Sequence, residues 1–499
     1  MNGSSAPAGR RSGPDGLVLA LVCLAQFMVV LDVSIVNVAL PSIRHELHFS
    51  QAGLQWVVNA YTLAFAGFLM LGGRAADLYG QRRIFLLGMG LFTAASLAGG
   101  LAQSQGMLIA ARAAQGLGGA ILSPATLTIL TTTFPEGPRR ARALGMWGGV
   151  AGAGGAAGSL FGGLLTDLVD WRWILFINVP IGVVGVVAAR ALLGEARRER
   201  ATRALDALGA VLVTGGLMAL VYAIVGTTQH AWVSARTLGT LAVAVALLGW
   251  FLYHEARVAR QPLMPLGLFR SRSVSGANLV MLCLGGGFFA MWFFLTLYMQ
   301  NVLGWSPLRA GMAFLPMALA IIAGAQTASR LLPRVGTRPL LILGPALSAA
   351  ALLWLSRVTV DGTFLANLLG PGVLGPFGIG LSFTAIASAA TSGVPREQAG
   401  LASGLLNTTR QVGGSIGLAA LATIATSHTA VLLRAATPEP AALTAGYGRA
   451  FLTSSVILFA AAAAGFLLPA ARAQVPAPAG RGAAPGDQEP VGTEAAAER

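Results

Sequence analysis

The sequence predicts an all-α membrane protein of fourteen spanning helices, built as two parallel six-helix repeats with two further helices inserted between them. Three observations predict it. Long apolar runs recur along the chain, arginines alternate in density between the segments joining those runs, and the two halves of the chain match in one register.

The apolar runs come first, because they set the solvent. Of 499 residues 55% are hydrophobic and 10% charged, and mean hydropathy is +0.71. A soluble chain of this length would divide into domains with charged surfaces. Here charge is confined to short segments between runs of about 18 to 25 residues, the length that crosses a bilayer as a helix. The runs lie near residues 17–40, 54–73, 84–103, 107–133, 143–166, 173–193, 207–226, 237–253, 276–300, 310–329, 340–356, 364–390, 402–426 and 450–470. The first is too long for a signal-peptide core and is expected to be retained. Cys23 and Cys283 both fall inside apolar runs, so neither a disulfide framework nor a metal cluster is expected.

The net charge of +15 points to orientation rather than to nucleic acid. All 33 basic residues are arginine. With the N-terminus in the cytoplasm, twenty-four fall in segments on that side, against seven (Arg44, Arg172, Arg236, Arg309, Arg357, Arg434 and Arg449) on the other. This is the positive-inside bias, and one missed helix would scramble it. The expectation is a multi-pass protein of the cell membrane with both termini cytoplasmic. Residues 1–16 read as a cytoplasmic tail, and 471–499, rich in Ala, Pro, Gly and Glu, as a disordered one.

Sliding the chain by 256 positions brings Gly80 onto Gly336, Gly116 onto Gly372, Gly119 onto Gly375, Arg140 onto Arg396, Gly148 onto Gly404, and Gly158-Ser159 onto Gly414-Ser415. With 65 glycines chance supplies some matches, but one gapless register through loops and helices argues for duplication. The six-helix halves then cover 17–193 and 276–470 in the same orientation, and 194–275 is an inserted helix pair with cytoplasmic linkers. Such parallel repeats place a substrate site near the midplane between them.

Intramembrane charge marks candidate sites. In "LDVSIVNVALP", Asp32 is the one ionisable residue of an apolar run; exposed to lipid it would be costly, so it must face the bundle interior or water. Low dielectric disfavours its charged form, and a carboxylate that can be neutral or charged can carry a proton. The plainer alternative is a structural carboxylate held by a neighbouring helix. The five histidines fall in loops or near helix ends and do not compete. Arg112 stays protonated; it can change partners between conformations, or only brace the bundle through backbone carbonyls. Arg410, in "NTTRQVGGS", meets Gly154 at the repeat offset and is expected to face the substrate cavity. Asn37, Gln115, Trp292, Tyr298 and Gln300 complete the candidate cavity, although aromatics also serve as interfacial anchors.

The loop "GGRAADLYGQRR" must join two helices tightly. Gly73 and Gly80 permit close approach and turn conformations, and Asp77 can cap the next helix or pair with Arg82, Arg83 or the other half as a cytoplasmic gate. An ordinary positive-inside loop is the alternative. Its counterpart "SRLLPRVGTR" keeps Gly336 and Arg338 but has Pro333 where Asp77 stands. In "GGVAGAGGAAGSLFGG" the GxGxxG spacing fails because residue 157 is alanine. Gly148, Gly152, Gly155, Gly158, Gly162 and Gly163 are instead small residues that let membrane helices pack closely, and slide or bend.

In this order these motifs resemble the fourteen-helix drug/proton antiporter branch of the major facilitator superfamily, over nearly all the chain except its tails. "LDVSIVNVALP" is similar to that branch's first-helix signature. The loop motif GxxxDxxGxRR is matched by Gly73, Asp77, Gly80, Arg82 and Arg83, the fourth-helix motif by Arg112, Gln115 and Gly116, and the fifth-helix antiporter motif by the six glycines. Two departures are Leu78, where the loop motif usually has a base, and Ser159, where the antiporter motif usually has proline. The resemblance implies the major facilitator fold and coupling through Arg112.

No Walker sequence, metal-ligand cluster or nucleophile–base pair is present, so neither an enzyme nor a cofactor is expected. The proton gradient can supply the work, about 2.3 kcal/mol per charge across 100 mV. The expected function is proton-coupled export of hydrophobic small molecules, antibiotics among them, by a monomer whose other partners are protons and lipid, with no nucleic acid. Two alternatives stay open: a uniporter or importer of a small metabolite, and a non-transporting sensor, which the short cytoplasmic segments disfavour. Two core arginines face one carboxylate, so uncharged or anionic compounds are expected to be handled better than dications.

Overall fold

A computed structural model describes residues 15–50, 53–134, 138–194, 206–227, 230–259, 262–264, 266–391 and 399–467. Most of the expected N-terminal tail, all of the C-terminal one, and the linker 195–205 lie outside them. The described residues are helical almost throughout, with no strand among them.

In chain order the helices are α1 (Asp15–Glu46), α2 (Trp56–Tyr79), α3 (Gln81–Gly100), α4 (Gln105–Thr133), α5 (Pro138–Leu168), α6 (Trp173–Phe176), α7 (Asn178–Leu192) and α8 (Ala207–Gly226). They continue with α9 (Ala235–Tyr253), α10 (Arg272–Leu297), α11 (Pro307–Ala313), α12 (Leu315–Val335), α13 (Thr337–Leu355), α14 (Gly370–Thr391), α15 (Ala399–Arg434) and α16 (Glu439–Ala464). Twelve helical stretches among the described residues are long and apolar enough to cross a membrane. The expected second and fifth spans are the 24-residue α2 and the 31-residue, glycine-rich α5.

Two expected spans are each broken in two. The sixth divides at Ile177 into α6 and α7, and the tenth at Phe314 into α11 and α12. Prolines follow both breaks: Pro180 and Pro316 lack an N–H and crowd the carbonyl four residues back, which disfavours a regular turn there.

The duplication is written in the packing. α1 lies along α5 as α10 lies along α15; α2 and α3 pack on α4 as α12 and α13 pack on α14; α3 meets α7 as α13 meets α16. Gly80 joins α2 to α3 at φ +90°, and Gly336 joins α12 to α13 at φ +76°, a region where a side chain is strained. Two residues on, Arg82 Nη2 donates to the Arg190 carbonyl at the end of α7 (3.0 Å), and Arg338 Nη2 donates to the Phe466 carbonyl just beyond α16 (2.7 Å). Each arginine thus satisfies a carbonyl at the C-terminal end of the last helix of its own half.

Among the described residues the halves meet at the end remote from Asp15 and Leu467. Gln300 Nε2 donates to the Val38 carbonyl of α1 at 2.7 Å, and the hydroxyls of Thr62 on α2 and Ser415 on α15 lie 2.6 Å apart. A Cβ on Gly163 of α5 would fall 2.6 Å from the Pro307 carbonyl of α11, so backbone approaches backbone there. The inserted α8 packs on both α2 and α15, with α9 outside it. Leu63, Leu217, Val221, Val225 and Ala419 form an apolar cluster there, so the pair lies outside the two bundles while α8 covers their seam.

Candidate functional site

α1 carries Asp32, fully buried, against Arg112 of α4, whose Nη1 donates to Oδ2 at 2.6 Å. Arg112 and Gln115 are three residues apart and share a helix face, which lets both reach α1. Arg112 Nη1 also donates to Gln115 Oε1 at 2.9 Å, while Gln115 Nε2 donates to Asp32 Oδ1 at 3.0 Å and to Ser96 Oγ of α3 at 2.5 Å. Asn178, the first residue of α7 after the break, donates from Nδ2 to Asp32 Oδ1 at 3.0 Å. Arg112 Nε donates to the Val57 carbonyl of α2 at 3.1 Å, and its guanidinium lies 4.5 Å from the centroid of the Tyr61 ring.

Three helices of one half, α1, α4 and α7, therefore converge on a single carboxylate, and α2 and α3 hold its partners Arg112 and Gln115. A buried ion pair offsets its desolvation only when the remaining donors and acceptors are also met, and Asp32 accepts from Arg112, Gln115 and Asn178. A proton added to Asp32 would remove the charge that holds Arg112 and weaken the bonds that Arg112, Gln115 and Asn178 donate to it. The arrangement is thus suited to converting protonation into a change of partners.

The other cavity candidates separate. Asn37 Nδ2 donates to the Val33 carbonyl of its own helix at 2.9 Å. Tyr298 is fully buried, its hydroxyl donating to the Thr359 carbonyl at 2.5 Å within the second half. Gln300 bridges the halves through Val38. Trp292 is half-buried and stacked on Phe314 at 4.3 Å, with its Nε1 unpartnered. Arg410 is half-buried; its Nε is unpartnered and no described carboxylate pairs with it. Tyr61, Ser96 and Asn178 are site residues that sequence reasoning missed; their signal was a polar group inside an apolar run.

Of the loop motif, Gly73 faces Pro124 of α4, whose Cβ would stand 3.5 Å from a Cβ added to the glycine; Arg83 is exposed, and Arg82 stays within its own half. The Asp77 side chain lies outside what is described. In the fifth-helix motif, a Cβ on Gly158 would fall 2.6 Å from Ser34 Cβ, one on Gly162 2.8 Å from the Ile35 carbonyl, and one on Gly155 3.7 Å from Ser34 Oγ, all on α1. Gly163 turns to α11. The surroundings of Gly148 and Gly152 lie outside the described residues. Ser159 is buried and its hydroxyl donates to the Gly155 carbonyl at 3.2 Å.

A duplicated helical bundle with a buried charge network at its centre defines a class, the multi-pass helical membrane proteins. The chain belongs to the major facilitator superfamily: residues 22–418 match the model of the family described as "Major Facilitator Superfamily". It is 46% identical over 460 residues to the "Cephamycin export protein CmcT" of Amycolatopsis lactamdurans, covering 92% of this chain and 93% of that protein. It is 41% identical over 442 residues to the "Puromycin resistance protein pur8" of Streptomyces alboniger, covering 87% of each. Among solved structures it resembles the inward-facing bacterial homolog of the human lysosomal transporter Spinster, with a TM-score of 0.64 at 17% identity over 92% of this chain and 97% of that one.

Proposed function

We propose that the protein is a drug/proton antiporter that exports hydrophobic organic compounds, antibiotics among them, by alternating access. The observation that carries this reading is the hydrogen-bonded set around Asp32, a buried carboxylate that a proton can neutralise and that accepts from Arg112, Gln115 and Asn178. The relatives' names, one an exporter and one a resistance protein, support the direction of transport and the class of cargo.

The chain acts as a monomer with both termini in the cytoplasm. The joined end of the two halves is then the outer one, as an inward-facing state requires. In this arrangement Asp32 is paired. Once the halves rock apart at the contacts at Val38, Ser415 and Gly163, a proton entering from outside reaches Asp32, neutralises it and releases Arg112, and α1 and α4 are then free to shift. The proton gradient supplies about 2.3 kcal/mol per charge per 100 mV, and no cofactor is needed.

The test is Asp32→Asn, which keeps the size and one of the two acceptor oxygens but removes the charge and cannot cycle a proton. In a strain lacking its own pumps, the variant should still reach the membrane yet lose, per molecule present there, drug resistance and uncoupler-sensitive dye efflux. Retained pH-dependent efflux would rule out the coupling role. Dye accumulation instead of expulsion in energised cells would favour the importer.

A further inference from the structure

We propose that Arg410 is the substrate-recognising cation of this transporter, and that its ligand is the single carboxylate of an amphipathic compound with an aromatic or otherwise apolar body. This rests on the export reading above and adds a substrate class to it.

The first step is a charge inventory of the bundle interior. Asp32 is taken up by Arg112, Gln115 and Asn178, so that pair leaves no net charge for a ligand. Arg410 lies inside the apolar span Gly404–Arg434, and no described carboxylate stands within ion-pair distance of it. Its Nε is buried and unpartnered. An unpaired guanidinium at membrane depth is costly, and cations so placed mark a substrate or ion path.

The second step is position. Arg410 sits five residues, about 7.5 Å of helix rise, from Ser415, which meets Thr62 of the other half. Tyr61, whose ring already carries Arg112, lies within electrostatic range of Arg410 across the seam. Its buried hydroxyl is also unpartnered. These groups can all donate, so the seam here offers donors and a positive charge and asks for an acceptor that is negative.

The third step is the apolar flank. Gly285 of α10 packs against the Arg410 carbonyl. Further along α10, Phe288 and Trp292 are half-buried, with ring centroids 5.8 Å apart, and Trp292 Nε1 is a further unpartnered donor. A planar carboxylate matches the guanidinium fork, and the aromatic faces suit the body attached to it.

The experiment uses the full chain in proteoliposomes under an imposed pH gradient, with 1-pyrenebutyrate and its methyl ester as matched fluorescent probes. Wild type should transport the carboxylate with a kcat/KM about tenfold or more above that of the ester. Arg410→Gln should collapse that ratio to about one, through KM of the carboxylate, and Arg410→Lys should restore part of it, because charge is kept and the fork is lost. A wild type that moves the ester as well as the carboxylate, or a ratio unchanged in Arg410→Gln, would overturn the assignment while leaving export intact. Absence of gradient-driven movement of either probe, together with no resistance in the pump-deficient strain, would remove the export reading and this assignment with it. Resistance without movement of the carboxylate probe would overturn the assignment alone.

Discussion

The hydroxyl oxygens of Thr62 and Ser415 lie 2.6 Å apart, both buried, on helices that belong to opposite halves of the molecule. A hydroxyl pair is a weak tie, worth about 0.5–1.5 kcal/mol, and such a tie can break in each transport cycle. A covalent one cannot. In a background with Cys23→Ser and Cys283→Ser, Thr62→Cys with Ser415→Cys should cross-link on oxidation and stop transport, and reduction should restore it. Full transport by the cross-linked protein would mean that the two halves do not separate at this point.

The Asp32–Arg112 pair predicts a sign that a purely stabilising contact would not give. Removing one member leaves a buried charge uncompensated, at a cost of about 3–5 kcal/mol. Removing both leaves none. Arg112→Ala alone should therefore unfold in detergent at markedly lower temperature than wild type, and Asp32→Ala with Arg112→Ala should recover much of the loss while remaining inactive. Additive losses in the double variant would show that the two residues do not act as a pair.

Glycines of the fifth-helix motif should divide by the neighbour each one meets. Gly158 faces α1 within its own half, and Gly163 faces α11 of the other. Gly158→Val should lower the amount of folded protein, because helix packing inside the bundle is blocked. Gly163→Val should leave more folded protein but cut turnover by about tenfold, equivalent to about 1.4 kcal/mol against the joined arrangement. The measurements are membrane level and initial efflux rate; the opposite pattern would contradict the assignment of these faces.

Why Asp32 and Arg112 were legible in the sequence, and Tyr61, Ser96 and Asn178 were not, is a matter of cost. A charge in an apolar run has no cheap solution in lipid, so its presence alone announces a partner. A serine, tyrosine or asparagine there can bond its own helix, as Asn37 does to Val33, so which polar residue turns to the carboxylate is a tertiary fact. Tyr298 went the other way: an aromatic run does not reveal which side faces the seam, and its hydroxyl found the Thr359 carbonyl. Arg82 was expected at a gate between halves, yet an open carbonyl at the end of α7 lay within its reach. The repeat was legible because Gly80 and Gly336 occupy positive-φ turns that tolerate little else.

The inserted pair gives the last prediction. Asp206 caps α8: its Oδ1 accepts from Gly209 N at 2.8 Å and pairs with His254 Nε2 at the end of α9, also at 2.8 Å. Burial alone would push its carboxyl up, but the Gly209 N–H, then His254 and Glu255, outweigh burial and hold it below the ordinary carboxylate value. A depressed folded value stabilises the protein above the unfolded one, about 3.9, and that contribution fades as pH falls through the lower folded value. Asp206→Ala loses the cap and the partner of His254, and should cost about 1–2 kcal/mol. Asp206→Asn keeps an acceptor for Gly209 and should cost less. Both should lower membrane level and detergent melting temperature near neutral pH, and the gap to wild type should narrow on acidification below about pH 4. Efflux per molecule, and its dependence on the proton gradient, should stay near wild type, because α8 lies along the seam without touching Asp32 or Arg112. A normal level with lost gradient dependence would make the insertion part of the coupling machinery.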